Sequence, residues 1–291
     1  MYKRQIRDGF HNLRPGSDYD NLYHSALCRQ EADWLVGING TRLFTVLYGG
    51  KALKVGRVQT PTLAMLVERA GQISNFQKEK YFNVELDCDG IPAVKPKIFD
   101  PDEAEQLRSR CQGSEAIVTA VKEAEKKVKA PKLYDLTTLQ REANRIYGMT
   151  AKQTLDTAQS LYEKKLITYP RTDSQYLTED MEQTARNVVR QIYEKYQLTG
   201  PFDQPEQPDV KKVMNNSKVT DHHAIIPTME LASSHLDELK SWEEKILFLI
   251  AVHTVMAMSK NHIYQETEIE VECQGEIFKA KGKNVLQDGW K

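Results

Sequence analysis

Several features that commonly announce a function are scarce or missing in this 291-residue sequence. No stretch approaches the roughly 18 consecutive apolar residues that a membrane-spanning helix requires. The N-terminal MYKRQIRDGF has basic residues but no apolar segment behind them, so it is not a secretory signal, and a cytoplasmic protein is expected. Only four cysteines are present, Cys28, Cys88, Cys111 and Cys273; they form no CxxC pair, which argues against a zinc site or disulfide framework and for reduced thiols. Charge of one sign is not in excess, because 40 Lys and Arg nearly cancel 41 Asp and Glu. The whole-chain charge therefore neither suggests nor excludes a polyanionic partner. The P-loop spacing GxxxxGK[ST] is absent, and the GGK at 49–51 lacks the Ser or Thr that should follow, so nothing points to ATP or GTP. Internal repeats and low-complexity segments are also lacking.

What is present describes a globular chain, 40% apolar and 28% charged, long enough for two or three domains. Residues 17–48 carry helix-like apolar spacing behind Ser17 and Asp18 and read as one or two helices. GRVQTP then reads as a polar loop feeding another helix. From Tyr81 the period changes to two: Phe82, Val84, Leu86 and Cys88 alternate with polar residues, and 116–121 and 266–273 repeat the pattern. These three runs are expected to share one antiparallel sheet, with a helical domain inserted between its two arms. The insertion begins after the basic KKVKAPK. TTLQREANRIYG reads as a helix capped by Thr137 or Thr138 and stopped at Gly148, and Thr150 with Gln153 opens a second, in a helix-turn-helix layout. LITY is an extended step ended by Pro170. A further helix opens at Thr178, residues 197–221 with three prolines read as loop, and SWEEKILFLIAVHTVMAMS reads as a core helix.

Candidate chemistry centres on Tyr169. A phenol with a pKa of about 10 becomes a useful nucleophile when cations lower that pKa or take up charge developing on an attacked phosphate. Arg171, two residues on, shares its face in an extended segment, and between residues 122 and 171 there are eleven Lys or Arg against six Asp or Glu. Thr168, Thr172 and Ser174 offer hydroxyls to phosphate oxygens. Gln159 and Glu163, four apart, share a helix face near the corner where Tyr169 emerges. The alternative is a core aromatic beside a solvated basic face. In DHHAIIPT the adjacent histidines His222 and His223 point in different directions, so one is assigned to a phosphate or proton and the other to structure. Arg57 and Gln59 project from one side if GRVQTPT is extended, as phosphate-backbone contacts would. The acidic pairs DYD at 18–20 and DCD at 87–89 read as a helix cap and part of a strand rather than metal ligands.

Together and in this order, ADWLVGINGTR (32–42), VGRVQTPTL (55–63), YDLTTLQREANRIYGMTAKQTLDTAQSLYEKKLITYPRTDS (134–174) and DHHAIIPT (221–228) resemble the type IA DNA topoisomerases, most closely the topoisomerase III branch. The resemblance implies a multidomain α and β gate fragment. Its expected parts are a helical base segment (1–78), an antiparallel β arch split in sequence (79–130 plus 262–291), and an inserted, winged-helix-like tyrosine domain (131–261). By resemblance Tyr169 is the nucleophile that holds a 5′ DNA end, Arg171 steadies the phosphate, and His222 is the catalytic-site histidine. Gln159, Glu163, Thr168 and Asp173, with Ser174 beside them, line the same site, while Arg57 and Gln59 border a single-strand groove. The implied partner is single-stranded DNA, with no membrane. The implied cofactor is Mg²⁺, bound by a Toprim domain that this chain lacks, with no ATP. The resemblance thus describes a monomeric central fragment whose other partner is the rest of its own polypeptide, inactive alone. Two alternatives stay open: a non-catalytic winged-helix DNA-binding module, and an interaction fragment without DNA affinity.

Overall fold

In the computed structural model, which describes Arg7, residues 9–198 and residues 208–291, the chain divides into two units, Met1–Lys80 and Tyr81–Lys291. The first holds α1 (Asp20–Tyr48), a single helix where one or two were expected, and α2 (Gln59–Ser74). Between them Gly49 and Gly50, at φ 68° and 84°, reverse the chain in a conformation that only glycine adopts without steric cost. The returning segment is fastened to α1 turn by turn. Thr45 and Thr41 accept from the backbone N–H groups of Leu53 (3.0 Å) and Val55 (2.9 Å). Gly40 makes room for Val55, since a Cβ there would stand 2.8 Å from its Cγ1. Two turns further back, Arg57 Nε donates to Asp33 at 2.6 Å. The motifs ADWLVGINGTR and VGRV are therefore one local structure. Val58 has helical backbone angles, φ −104° and ψ −45°, so Arg57 and Gln59 do not alternate on an extended strand as expected. Arg57 instead sits at a turn and Gln59 opens α2. Neither helix buries any residue; Leu22, Trp34, Leu35 and Leu43 are exposed.

In the second unit, β1 (Phe82–Cys88), β2 (Ile91–Ile98), β3 (Ile117–Val128), β4 (His262–Cys273) and β5 (Glu276–Gln287) form one antiparallel sheet in the order β1-β2-β5-β4-β3. The three alternating runs lie in β1, β3 and β4. β2 escapes a periodicity reading because Pro92 and Pro96 interrupt it and withhold N–H groups, and it meets β5 in a single registered pair, Val94 with Lys279. Asp87 accepts the Gly90 N–H at 2.8 Å in the β1–β2 turn, which gives the DCD pair a turn role. Against this sheet lies α3 (Pro101–Cys111), also unread from sequence, burying Ala104, Leu107 and Cys111 with Val84, Val271 and Phe278.

The chain between β3 and β4 forms α4 (Leu136–Tyr147), α5 (Ala151–Glu163), α6 (Glu182–Tyr196) and α7 (Ser241–Ala257) around a separate core that includes Leu139, Leu161, Ile167, Ile192, Ile225 and Ile250. α7 supplies Ile246, Leu247, Ile250, Ala251 and Val255 to that core, as its nearly continuous apolar sequence requires. The cap of α4 is Asp135 rather than Thr137 or Thr138. Its carboxylate accepts the Thr138 N–H (2.7 Å) while its own N–H donates to the Thr138 hydroxyl (3.1 Å). Gly148 ends α4 at φ 68°, and the Thr150–Gln153 capping box opens α5 as the spacing predicts. A short 3₁₀ turn, Glu179–Met181, precedes α6. Part of the expected 197–221 loop, residues 199–207 with Pro201 and Pro205, lies outside the described residues. Among the described residues, no helix is long and apolar enough to cross a membrane.

Candidate active site

The corner at Tyr169 begins where α5 stops. Lys165 takes a left-handed conformation, φ 61°, and the N–H groups of Lys165 and Leu166 return to the carbonyls of Tyr162 and Leu161. The chain leaves as an extended step whose apolar side chains, Leu166 and Ile167, are buried. That step pairs with the segment containing the histidines. Thr168 N–H donates to the Ile226 carbonyl (2.9 Å), Thr228 N–H to that of Leu166 (2.9 Å), and Ile167 bridges Pro227. On its other side the same segment donates the Ile225 N–H to Tyr134 (2.8 Å). Burial of Ile167, Ile225 and Ile226 fixes this register, and ITYPRTDS and DHHAIIPT consequently lie side by side.

Beyond Tyr169 the segment alternates. Pro170, Thr172 and Ser174 are buried, whereas Arg171 and Asp173 are exposed and Tyr169 is half-buried. The inward hydroxyls hold the loop. Thr172 donates to the His222 carbonyl (2.8 Å) and Ser174 to that of Lys218 (2.8 Å). Thr168 donates to the Ala224 carbonyl (3.0 Å) and accepts the Ile226 N–H (3.0 Å). In this structure the Thr168, Thr172 and Ser174 hydroxyls that were expected to face a phosphate bond carbonyl groups and shape the loop.

The Tyr169 ring lies between two others. The His222 ring stands 4.4 Å away between centroids, tilted by 49°, and the Tyr162 ring meets it edge-on at 5.3 Å. His222 is exposed; His223 is half-buried, with Nδ1 2.9 Å from the Ala224 carbonyl, and burial holds its pKa below the usual value. The two neighbouring histidines are thus divided, one against the phenol and one in the wall. Arg171 and Asp173 have no ion-pair partner among the described residues. Glu163 is exposed and accepts from Gln159 Nε2 at 3.1 Å on the last turns of α5. Arg57 and Gln59 belong to the first unit.

Sequence reasoning missed Tyr162, whose contact crosses from helix to corner and has no period, and it missed Glu243. This α7 residue is 3% exposed and accepts from Lys164 Nζ (2.7 Å), Ser160 Oγ (2.7 Å) and the Lys240 N–H (2.9 Å). Burial alone would push its carboxyl up, but these donors hold it at about 2. The tie joins the end of α5, just before Tyr169, to the start of α7. Among the described residues, no three His, Cys, Asp or Glu side chains converge on a point that would hold a metal ion.

In sequence, then, a helical core lies between two arms of an antiparallel sheet, and Tyr169 and His222 meet at one corner of that core. Residues 17–291 match the family model described as DNA topoisomerase, and the chain belongs to that family. Within it the chain falls in the type IA, topoisomerase III-like branch. DNA topoisomerase 3 of Bacillus licheniformis is 41% identical over 303 residues, which take in 99% of this chain and 41% of that protein. DNA topoisomerase 3 of Bacillus subtilis is 41% identical over 298 residues, with the same coverages. The solved structure of full-length topoisomerase I from Thermotoga maritima matches 99% of this chain and 48% of its own, with a TM-score of 0.70 and 28% identity. The chain thus spans 41% of the length of the curated relatives it matches.

Proposed function

We propose that this chain is the part of an ATP-independent type IA topoisomerase that carries the strand-cutting tyrosine, and that the longer protein cuts one DNA strand, passes another and rejoins the first. The observation that carries the reading is the cluster at the corner: Tyr169 half-exposed, His222 4.4 Å away between ring centroids, and Arg171 free to meet a phosphate. Tyr169 Oη attacks phosphorus and loses its proton, the bond from phosphorus to the 3′ oxygen breaks, and the 3′ oxygen takes a proton as it leaves. The 5′ phosphate remains on the phenol. One phosphodiester replaces another, so rejoining is the same step reversed and needs no nucleotide. Arg171 steadies charge on the phosphate oxygens, and His222 contacts the phosphate or supplies the leaving-group proton. Gln159, Glu163 and Asp173 line the approach, and Arg57 and Gln59 border the single-stranded DNA. Mg²⁺ would be held by a Toprim domain outside this chain, where it would help to hold and orient the phosphate.

In this reading residues 1–78 are a base segment, 79–130 with 262–291 an arch, and 131–261 the domain that lifts the tyrosine. The exposed apolar side chains of α1 and α2 await the rest of the same polypeptide, the longer protein works in the cytoplasm, and this chain alone is a monomer. The test joins this chain to Toprim and C-terminal segments in one polypeptide and traps labelled DNA. A covalent adduct through the 5′ phosphate is expected on Tyr169, and none with Tyr169→Phe, which removes only the attacking oxygen. The chain alone, with Mg²⁺, should trap nothing. An adduct that survives Tyr169→Phe, or a 3′ linkage, refutes the assignment.

A further inference from the structure

Away from Tyr169, positive charge collects where the second unit's chain crosses between sheet and helices. A cleft of 550 Å³ is lined there by Lys127 and Lys129 at the end of β3, Lys132 before α4, Tyr176, Lys212 and Asn261, and, among the described residues, by no carboxylate. Lys212 is answered by Asp209 at 3.3 Å and donates to the Ser259 carbonyl at 2.7 Å. Lys127, Lys129 and Lys132 have no ion-pair partner among the described residues. Two ammonium groups also crowd Tyr176. Lys218 Nζ lies 4.9 Å from its ring centroid and 3.5 Å from its hydroxyl, and Lys132 Nζ lies 5.6 Å from the centroid. Burial would raise this phenol, yet the two cations hold it below its usual value. Uncompensated like charges gathered in a concavity repel one another and concentrate anions there.

We propose that this cleft binds the phosphodiester backbone of DNA, with Lys127, Lys129, Lys132 and Lys218 meeting phosphates and Tyr176 giving an aromatic surface to a sugar or base. The proposal rests on the topoisomerase reading and adds a contact separate from the tyrosine corner. The two are joined by one loop: Ser174 donates to the Lys218 carbonyl at 2.8 Å, and the Tyr176 carbonyl accepts the Ala224 N–H at 2.9 Å, two residues from His222. A strand in the cleft therefore bears on the segment that positions Arg171 and His222. Lysines on a flexible stem suit a backbone that is bound without regard to sequence, and the ring suits any base.

The test is binding of labelled oligothymidylate, about 8 or about 25 nucleotides long, to the 291-residue chain across a salt series. Lys129→Gln with Lys132→Gln should weaken binding roughly tenfold at low salt and reduce the salt slope by about one to two. Lys152→Gln with Lys245→Gln, an equal charge change elsewhere on the surface, should do neither; circular dichroism checks that both variants fold. Loss with the long strand alone supports a strand that continues from Tyr169 into the cleft. Loss for a short labelled strand added to chain already saturated with unlabelled strand supports a second segment. Equal effects of the two variant pairs, or no salt-dependent binding by the unaltered chain, overturn the proposal. The Tyr169 adduct is assayed in the longer protein, so failure of the cleft leaves that reading standing.

Discussion

At the scale of single residues, the two histidines are the sharpest contrast in the site. They are adjacent in sequence, yet His222 is exposed beside the Tyr169 ring while His223 is half-buried and tied to the Ala224 carbonyl. Burial disfavours the charged form of His223, so it is poorly suited to give up a proton in a reaction cycle. In the longer protein, His222→Ala should slow strand cleavage by about 10²-fold or more, as loss of a general acid does, and His223→Ala should affect stability before rate. Single-turnover cleavage with each variant decides this, and the reverse order would show the pair to be wrongly assigned. The short motifs ITYPRTDS and DHHAIIPT brought Tyr169, Arg171 and the histidine pair forward as candidates, and only the resemblance chose His222 over its neighbour. The bonds of the Thr168 and Ser174 hydroxyls were not legible, because only the fold supplies the carbonyls of Ala224 and Lys218. Tyr162 was illegible for a similar reason: its neighbour lies across a helix end.

Between elements, the join of α5 to α7 anchors the helix end that leads into the tyrosine corner. Glu243 closes the first turn of α7 and holds Ser160 and Lys164, so the end of α5 is anchored one residue short of the left-handed Lys165. Its carboxyl has a lower pKa folded, about 2, than its ordinary 4.5, so it binds fewer protons in the native state. The stabilisation is therefore present above about 4.5 and is lost as pH falls through about 2. Glu243→Gln should cost on the order of 2–3 kcal/mol at pH 7 and progressively less below pH 4.5, as read by urea unfolding at several pH values. A cost that does not change with pH would mean that the packing of this side chain matters and its charge does not. Helices α4 and α5 were readable because Gly148, Thr150 and Gln153 are local signals. β2 was hidden by two prolines, whereas α3 was missed although Asp100 caps it and Pro101 opens its first turn.

For the whole molecule, stability is distributed unevenly. The second unit has two cores, one under the sheet and one among α4 to α7, whereas α1 and α2 bury no residue at all. Helices without tertiary burial are marginal in water even when long, because propensity alone barely offsets the cost of ordering the chain. The Thr41, Thr45 and Arg57 contacts restrain the loop after α1, but they are exposed or half-exposed and add little apolar burial. Amide exchange in this chain should therefore show α1 and α2 opening at about 0–2 kcal/mol, while α7 opens only with global unfolding, at about 5–15 kcal/mol. In a protein of the relatives' full length, exposed apolar residues such as Trp34 and Leu43 gain material to pack against, and α1 protection should rise toward that of α7. Equal protection of α1 and α7 in the 291-residue chain would show that the first unit is stable on its own and needs no covering segment.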